Sequence, residues 1–168
     1  MLCLFAAHWM NFLITDASLR GTAGDNNTFK GLALGAKRSA GWFHFQQGGQ
    51  SNDPIQRAVL VESPIDAMSF ALLNRSESRK TIYLSTDGAG TVPVEFLLQL
   101  PPKSVIVAYD NDQPGNVMAQ RVMEQLPNAV RKLPKANDWN QELKNIFNLE
   151  QQRQQREQER KTSWGFSL

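Results

Sequence analysis

The sequence predicts an α/β protein built on a mostly parallel sheet with helices on its faces. From residue 58 onward, short apolar segments alternate with helix-like segments in the order β-α-β-α-β-α-β. This alternation is typical of parallel strands joined by crossover helices. The run Val105 to Ala108 is apolar throughout, which favours a strand buried on both faces. A chain of 168 residues is long enough for one domain with a hydrophobic core.

The elements of this sheet follow one another closely along the chain. Ala58 to Glu62 is predicted as the first strand. Ser63 and Pro64 are typical N-cap and first-turn residues, so a helix is expected to begin there and run to about Leu73. Three more strands are predicted at 81–85, 105–109 and 129–133, with helices at 93–100, 115–125 and 139–147. The sheet should therefore have four strands.

The two ends of the chain differ from this centre. Residues 1–57 are rich in Gly, Asn, Ser and Gln, with turn signals around two short segments at 29–34 and 41–45. These segments are predicted to pair as antiparallel strands of a small β-rich extension. Residues 58–147 form the α/β domain. The tail, 148–168, is almost all Gln, Arg and Glu up to residue 161, and a solvated helix and a disordered extension both fit it.

Composition narrows the possible classes of function. A net charge of +2 does not by itself indicate a nucleic-acid partner. Cys3 is the only cysteine, and His8 and His44 are the only histidines, so no disulfide framework and no zinc site is expected within this chain. Residues 1–13 are apolar but too short to span a bilayer, and they lack the basic start of a signal peptide. We expect a cytoplasmic protein without membrane association.

Two aspartates, Asp110 and Asp112, end the buried strand that begins at Val105. The chain then breaks at Gln-Pro-Gly (113–115). Ligands of open α/β sheets bind at the carboxyl edge of the strands, which is where this pair should lie. Carboxylates held so close repel each other unless a cation, a proton or water relieves them. A hard divalent cation with oxygen ligands, Mg²⁺ or Mn²⁺, is the expected relief.

Three more acids are expected at the same edge. Glu62 ends the first strand, Asp66 lies about one helical turn later, and Asp138 follows the fourth strand. Because parallel strands end on one side of the sheet, these acids and the aspartate pair should face one crevice. The loop 87–91 contains Gly88 and Gly90, and its backbone amides can approach a phosphate group.

Each of these residues also has a structural alternative. Asp66 can complete a capping box with Ser63, Asp112 can belong to a turn, and Asp138 can cap the helix that begins at Trp139. Glu62 alone can be a surface residue. The glycine loop can be an ordinary connection between a strand and a helix.

Together these segments resemble the Toprim domain, which bacterial primases, topoisomerases, recombination mediators and a class of nucleases share. The segment Asp-Asn-Asp-Gln-Pro-Gly (110–115) is similar to the primase pattern Asp-x-Asp-x-x-Gly. The segment Glu-Ser-Pro-Ile-Asp (62–66) departs from the usual Glu-Gly-Tyr-x-Asp but keeps both acids. The loop 85–91 also resembles the corresponding loop of the Toprim domain. The resemblance covers residues 59–143 and implies a Toprim-type sheet.

The resemblance implies a chemistry and a role for each acid. Asp110, Asp112 and either Asp66 or Asp138 would hold one or two magnesium ions, and Glu62 would act as general acid and base. The implied reaction is primer synthesis by nucleotidyl transfer in the replication of DNA or of a mobile element. The implied partners are single-stranded template DNA, nucleotides and a helicase or another replication protein.

Upstream segments resemble the region that precedes the Toprim domain in primase-like proteins of plasmids and mobile elements. By that resemblance Arg20, Lys30 and Lys37 would contact nucleic acid or nucleotide phosphate, although each can equally be a solvated surface cation. The aromatic segment 42–45 can stack on bases or pack in a core.

Two other functions remain open from the sequence. Toprim nucleases cut DNA with the same acids. The zinc-binding module that usually precedes such proteins is missing from this sequence, which suggests a truncated start and a non-catalytic DNA-binding module.

Overall fold

The structure, a computed structural model, describes residues 2–8, 14–22, 29–35, 41–87 and 91–165. These residues form two separate β-sheets and four helices. The predicted site residues Lys37, Gly88 and Gly90 lie outside the described residues.

The first sheet is built from the N-terminal part of the chain. Strands β1 (Leu2–His8), β2 (Ile14–Gly21) and β3 (Lys30–Leu32) are antiparallel, in the order β1-β2-β3. The sequence predicts β3 but not the long hairpin of β1 and β2. The apolar residues of β1 follow no strict alternation, so periodicity gives no clear strand signal there.

The second sheet forms the centre of the protein. Its strands are β4 (Phe43–Gln47), β5 (Arg57–Val61), β6 (Thr81–Ser85), β7 (Val105–Val107) and β8 (Val130–Arg131). Their order is β4-β6-β5-β7-β8, and only the edge strand β4 is antiparallel to its neighbour. The prediction of a mostly parallel sheet is confirmed, with five strands among the described residues rather than four.

One predicted strand pairing is wrong. The sequence predicts that segments 29–34 and 41–45 pair with each other, but β3 pairs with β2 and β4 pairs with β6. The pairing of β4 is decided by its aromatic side chains. The ring of Phe45 stacks on Tyr83 of β6 at 4.9 Å between ring centroids, and Phe43 packs against the same core. The aromatic residues of this segment therefore serve packing.

Three helices connect the parallel strands in turn, a fourth follows the last strand, and together they cover both faces of the sheet. They are α1 (Pro64–Leu73), α2 (Val94–Leu98), α3 (Gln113–Gln125) and α4 (Trp139–Gly165). Helix α1 begins as predicted, because the Ser63 hydroxyl accepts the Asp66 backbone N–H at 3.2 Å and Pro64 occupies the first turn. Within the described parts of the chain, none of the helices combines the length and hydrophobicity of a membrane span.

Alternating residues of each parallel strand enter two different cores. From β5, Ala58 and Leu60 point to the side covered by α2 and α3, while Val59 and Val61 point to the side covered by α1. All four are fully buried. This three-layer packing explains why the central strands are apolar throughout, since both of their faces lie against helices.

Trp139 fixes the beginning of α4 to the sheet. Its side chain is buried, donates from Nε1 to the Ala108 carbonyl at 2.6 Å and packs edge-on against Phe70 of α1. Helix α4 then continues well beyond residue 147, where the sequence predicts its end. Residues 148–161 are exposed, so this part is the solvated helix that the sequence allows.

Candidate active site

A cleft of about 300 Å³ lies at the carboxyl edge of the parallel strands, where the N-terminal sheet meets the second sheet. The N-terminal sheet contributes Ser18, Leu19, Arg20, Lys30 and Gly31 to its lining. The loops and helices that follow the parallel strands contribute Glu62, Ser63, Ile65, Asp66, Asp87, Asp110, Asp138 and Asn140. Four of the five predicted acids therefore share one cleft with two of the predicted basic residues.

Asp110 has the least compensated side chain in this cleft. Its Oδ1 is buried and has no hydrogen-bond partner among the described residues. Burial raises the pKa of Asp110 to about 8, and the carboxylates of Asp66, Glu62, Asp138 and Asp112 push it in the same direction. A buried carboxylate without a partner is costly, so this position favours a bound proton or a cation.

Glu62 lies beside Asp110 and is linked to it through the backbone. The Asp110 N–H donates to Glu62 Oε1 at 3.4 Å. Burial raises the pKa of Glu62, and the charges of Asp112 and Asp66 raise it further. The hydrogen bond from Asp110 and the charge of Arg131 act in the opposite direction. Together the raising effects strengthen the hold of this carboxyl group on a proton, which is the direction that a general acid or base requires.

Asp66 combines the capping role with a position in the cleft. Its backbone N–H is capped by Ser63, while its carboxylate accepts hydrogen bonds from the Ser63 hydroxyl and from the Asn140 N–H, the latter at 3.3 Å. The residue is buried, and burial raises its pKa, with the charge of Asp138 adding to the effect. The predicted capping role and the predicted role as a metal ligand are compatible, because Asp66 lines the cleft while it makes the capping contacts.

The last two acids each cap a helix. Asp138 Oδ1 accepts the Gln141 N–H at 2.6 Å in the first turn of α4, and Asp138 still lines the cleft. Asp112 is the N-cap of α3, and its Oδ1 accepts the Gly115 N–H at 2.7 Å. Asp112 does not line the cleft, although its charge raises the pKa of Glu62 and Asp110.

Gly115 allows the acids to pack this closely. A Cβ atom at this position would lie 2.5 Å from the Asp110 carbonyl oxygen, 2.8 Å from Glu62 Oε1 and 3.0 Å from Asp112 Oδ1. Any side chain on residue 115 would therefore push apart the first turn of α3 and the ends of β5 and β7. The glycine is needed here for space, not for an unusual backbone angle.

Two basic residues reach the cleft from the N-terminal sheet. Arg20 is on β2 and Lys30 is its partner on β3, so both side chains belong to one rung of the antiparallel pair. Arg20 Nε is buried without a hydrogen-bond partner among the described residues, and the charge of Arg20 lowers the pKa of Asp66. The cleft thus has carboxylates on one wall and cations on the other.

Three further residues of the site are not singled out by the sequence. Asp87 follows β6, lines the cleft and accepts a hydrogen bond from the Ser18 hydroxyl at 2.8 Å, which links the two sheets. Asn140 binds Asp66, as described above. Arg131 of β8 binds backbone carbonyls beside Asp110. The position of Asp87 at a strand end is a signal that the sequence does contain, whereas an arginine in a short strand gives none.

The donor atoms of the cleft fit a magnesium ion. The described residues contain no group of three or more His, Cys, Asp or Glu side chains arranged to hold a metal. Magnesium does not require such a group, because it is usually bound through one or two carboxylates together with water and substrate phosphates. The unpartnered Oδ1 of Asp110 is an oxygen donor of the required kind.

Comparisons with known proteins agree with this geometry. Residues 59–143 match the family model described as Toprim-like. The chain is 36% identical over 123 residues to a "65 kDa protein" of Zymomonas mobilis subsp. mobilis, an alignment that covers 70% of this chain but 19% of that protein. The chain thus spans about a fifth of the length of this curated relative.

Two solved structures share the fold. The primase fragment of the bacteriophage T7 primase-helicase matches with a TM-score of 0.61 and 18% identity, over 92% of this chain and 62% of that one. The primase domains of T7, solved with an RNA/DNA hybrid, dTTP and the lagging-strand DNA polymerase, match with a TM-score of 0.61 and 17% identity, over 92% and 76%. With the family model matching residues 59–143 and the fold agreeing, the chain belongs to the Toprim-like family.

Proposed function

We propose that this protein catalyses magnesium-dependent nucleotidyl transfer on DNA, of the kind by which a primase makes a primer. The observation that carries the proposal is the cleft itself. Half-buried carboxylates that follow β5 and β7 and the cations of β2 and β3 line opposite sides of this cleft, which has a volume of about 300 Å³. Such a site can hold a phosphate chain between a metal-binding wall and a basic wall.

Asp110 is the proposed principal metal ligand, and Asp66, Asp138 and Asp112 are the further candidates. The unpartnered Oδ1 of Asp110 supports this assignment. Bound there, magnesium would neutralise phosphate charge and help orient the reacting oxygens. Asp112 already accepts a hydrogen bond as the cap of α3, so its share in metal binding would come from its second oxygen.

Glu62 is the proposed general acid and base. In primer synthesis the 3′-hydroxyl of one nucleotide attacks the α-phosphate of the next, and pyrophosphate leaves. Glu62 would accept the proton that the hydroxyl loses. The burial and the neighbouring carboxylates that raise the pKa of Glu62 support this role, because they make the group a stronger base than an exposed glutamate.

Arg20 and Lys30 are proposed to bind the phosphates of the template or of the incoming nucleotide. Lys37 is proposed with them, and Gly88 and Gly90 as a phosphate loop, from the sequence alone. The buried Nε of Arg20, which has no hydrogen-bond partner among the described residues, supports a polar ligand in this part of the cleft. In one of the two T7 structures the primase domains were solved with an RNA/DNA hybrid, dTTP and a polymerase. We propose DNA, nucleotides and another replication protein as partners here.

We also propose the domain division predicted from the sequence, with an N-terminal part up to residue 57, a Toprim domain at 58–147 and a tail at 148–168. The structure adds one detail, since β4 lies before residue 58 and pairs with β6 in the second sheet.

Primer synthesis tests the proposal directly. The purified protein is incubated with single-stranded template, nucleotides and Mg²⁺, and new oligonucleotides are measured on a sequencing gel. The Asp110→Asn variant should lose activity by about 10²-fold or more, since it removes the charged metal ligand. Glu124→Gln, an exposed change on α3, is the matched control and should leave activity unchanged.

Other results of this experiment would identify a different function. Nicked plasmid without primers would identify a Toprim nuclease that uses the same acids. DNA binding with neither product would identify a non-catalytic module. Full primer synthesis by Asp110→Asn would overturn the assignment of the site.

A further inference from the structure

Arg131 makes an unusual set of contacts next to the candidate active site. Its Nη1 donates to the carbonyl oxygens of Val107 at 3.1 Å, Tyr109 at 2.8 Å and Lys132 at 3.4 Å. Its Nη2 donates to the Asp110 carbonyl at 2.9 Å and to Asn116 Oδ1 at 3.1 Å. One guanidinium group therefore joins the end of β7, the residues beyond it and the first part of α3.

These contacts lie just beyond the end of a strand. Strand β7 ends at Val107, and residues 108–110, which include the first of the two aspartates, follow it without regular secondary structure. On one side of the Asp110 carbonyl lies Gly115, so close that a Cβ atom on residue 115 would not fit. On the other side the Arg131 guanidinium donates a hydrogen bond to the same oxygen. The orientation of the Asp110 peptide, and hence of its carboxylate, depends on both neighbours.

Arg131 does not line the cleft. It borders a separate, open depression with Asn116, Ala119 and Gln120 of α3. The side chain thus reaches Asp110 from behind, through the main chain, and does not contact a substrate held in the cleft. Its positive charge is nevertheless close enough to lower the pKa of Glu62.

We infer that Arg131 is a positioning residue, which holds the Asp110 backbone so that the Asp110 carboxylate can bind a divalent cation in the cleft. The inference rests on the proposed function, in that the cation serves nucleotidyl transfer. Arginine suits this position because its planar group offers five donors in a fixed arrangement, whereas lysine offers a single charged atom. Residues that orient a metal ligand typically change metal affinity or activity by about 10- to 100-fold when mutated.

The test compares Arg131→Lys and Arg131→Gln with the wild type and with Arg121→Gln, an exposed control on α3. Mn²⁺ binding is measured by electron paramagnetic resonance, and kcat and KM are measured in the primer assay. Both Arg131 variants should weaken Mn²⁺ binding and lower kcat by about 10- to 100-fold, with KM for the template unchanged. The control should match the wild type.

Arg131→Lys is the decisive variant, because it keeps the positive charge but loses the planar guanidinium group with its several donors. If it binds Mn²⁺ and turns over like the wild type, the positioning role is wrong and only the charge matters. If an Arg131 variant fails to melt cooperatively, Asn116→Ala takes its place, since it removes one partner of the guanidinium at an exposed position. It should weaken Mn²⁺ binding in the same direction, and unchanged binding would overturn the inference.

The two proposals can fail separately. A wild-type protein that binds Mn²⁺ but makes no primers contradicts the proposed function, while the effect of the Arg131 variants on Mn²⁺ binding still decides the positioning role. A wild-type protein that binds no Mn²⁺ overturns the role of Arg131 as well.

Discussion

At the scale of single residues, the candidate site holds several carboxylates closer together than their mutual repulsion favours. Asp110 has a buried oxygen without a hydrogen-bond partner among the described residues, and its pKa is raised to about 8. Gly115 and Arg131 hold the same peptide from two directions. Natural proteins usually satisfy buried polar groups, so such an exception points to a function for the position.

Gly115→Ala tests the close packing at this scale. The new methyl group would lie 2.5 Å from a backbone oxygen, which cannot move away cheaply. Alanine gains about 1 kcal/mol in helix propensity over glycine, but overpacking of this kind typically costs about 1–3 kcal/mol. We expect a net loss in the free energy of unfolding and a loss of primer synthesis.

Urea denaturation measures the change in stability, with Gln120→Ala on the exposed side of α3 as control. A Gly115→Ala variant as stable and active as the wild type would show that residue 115 does not hold the acids in place.

At the scale of elements, the acids of the candidate site follow the carboxyl ends of the parallel strands, while an ion-pair network lies at the opposite edge of the sheet. Arg57 begins β5 and is buried, and its guanidinium forms an ion pair with Glu77. Arg79 binds the same carboxylate, with Nη2 to Oε2 at 2.7 Å. The hydrogen bonds from Arg79 are the main cause that lowers the pKa of Glu77 to about 2, and the charge of Arg57 adds to them. This network ties the loop after α1 to the start of the sheet.

Glu77→Gln should therefore destabilise the protein in a way that depends on pH. The folded pKa of about 2 lies below the ordinary value of 4.5, so the stabilisation is fully present above about pH 4.5 and is lost as the pH falls toward 2. At pH 7 the variant should lose about 1–2 kcal/mol, and the difference from the wild type should shrink at pH 3.

Urea titrations at both pH values measure this difference, and Glu150→Gln on the exposed part of α4 is the control. An equal loss of stability at pH 7 and pH 3 would mean that the charge of Glu77 has no part in it.

At the scale of the whole molecule, the site exists because two sheets meet. The N-terminal sheet supplies the cations and the second sheet supplies the acids, with Ser18 and Asp87 joined by a hydrogen bond of 2.8 Å between them. Neither sheet alone has both walls of the cleft. The proposed DNA binding should therefore depend on residues that lie far from the Toprim motifs in sequence.

The double variant Arg20→Gln/Lys30→Gln tests this dependence. Each cation that contacts a phosphate of single-stranded DNA contributes about 0.7 to the slope of log affinity against log salt. We expect weaker binding of single-stranded DNA and a slope that is smaller by about 1.4. Fluorescence anisotropy at several salt concentrations measures it, with exposed Arg75→Gln as the control. A slope equal to that of the wild type would exclude these residues from phosphate binding.

The sequence by itself determined the succession of strands and helices from residue 58 onward, the cap of α1 and the acids that follow the parallel strands. These features are local, because apolar runs, Ser-Pro and Asp-Asn-Asp each report on a few neighbouring residues. The position of Asp110 after a buried strand was enough to predict its place at the carboxyl edge.

Only the tertiary structure decided which segments pair and which side chains meet. The segment 43–47 joined β6 rather than β3, where the ring of Phe45 stacks on Tyr83, and the β1–β2 hairpin had no clear pattern of its own. Arg131 lies beside Asp110 although 21 residues separate them. Contacts of this kind depend on strand order and on the space left by one glycine, Gly115, and no local pattern along the chain encodes either of them.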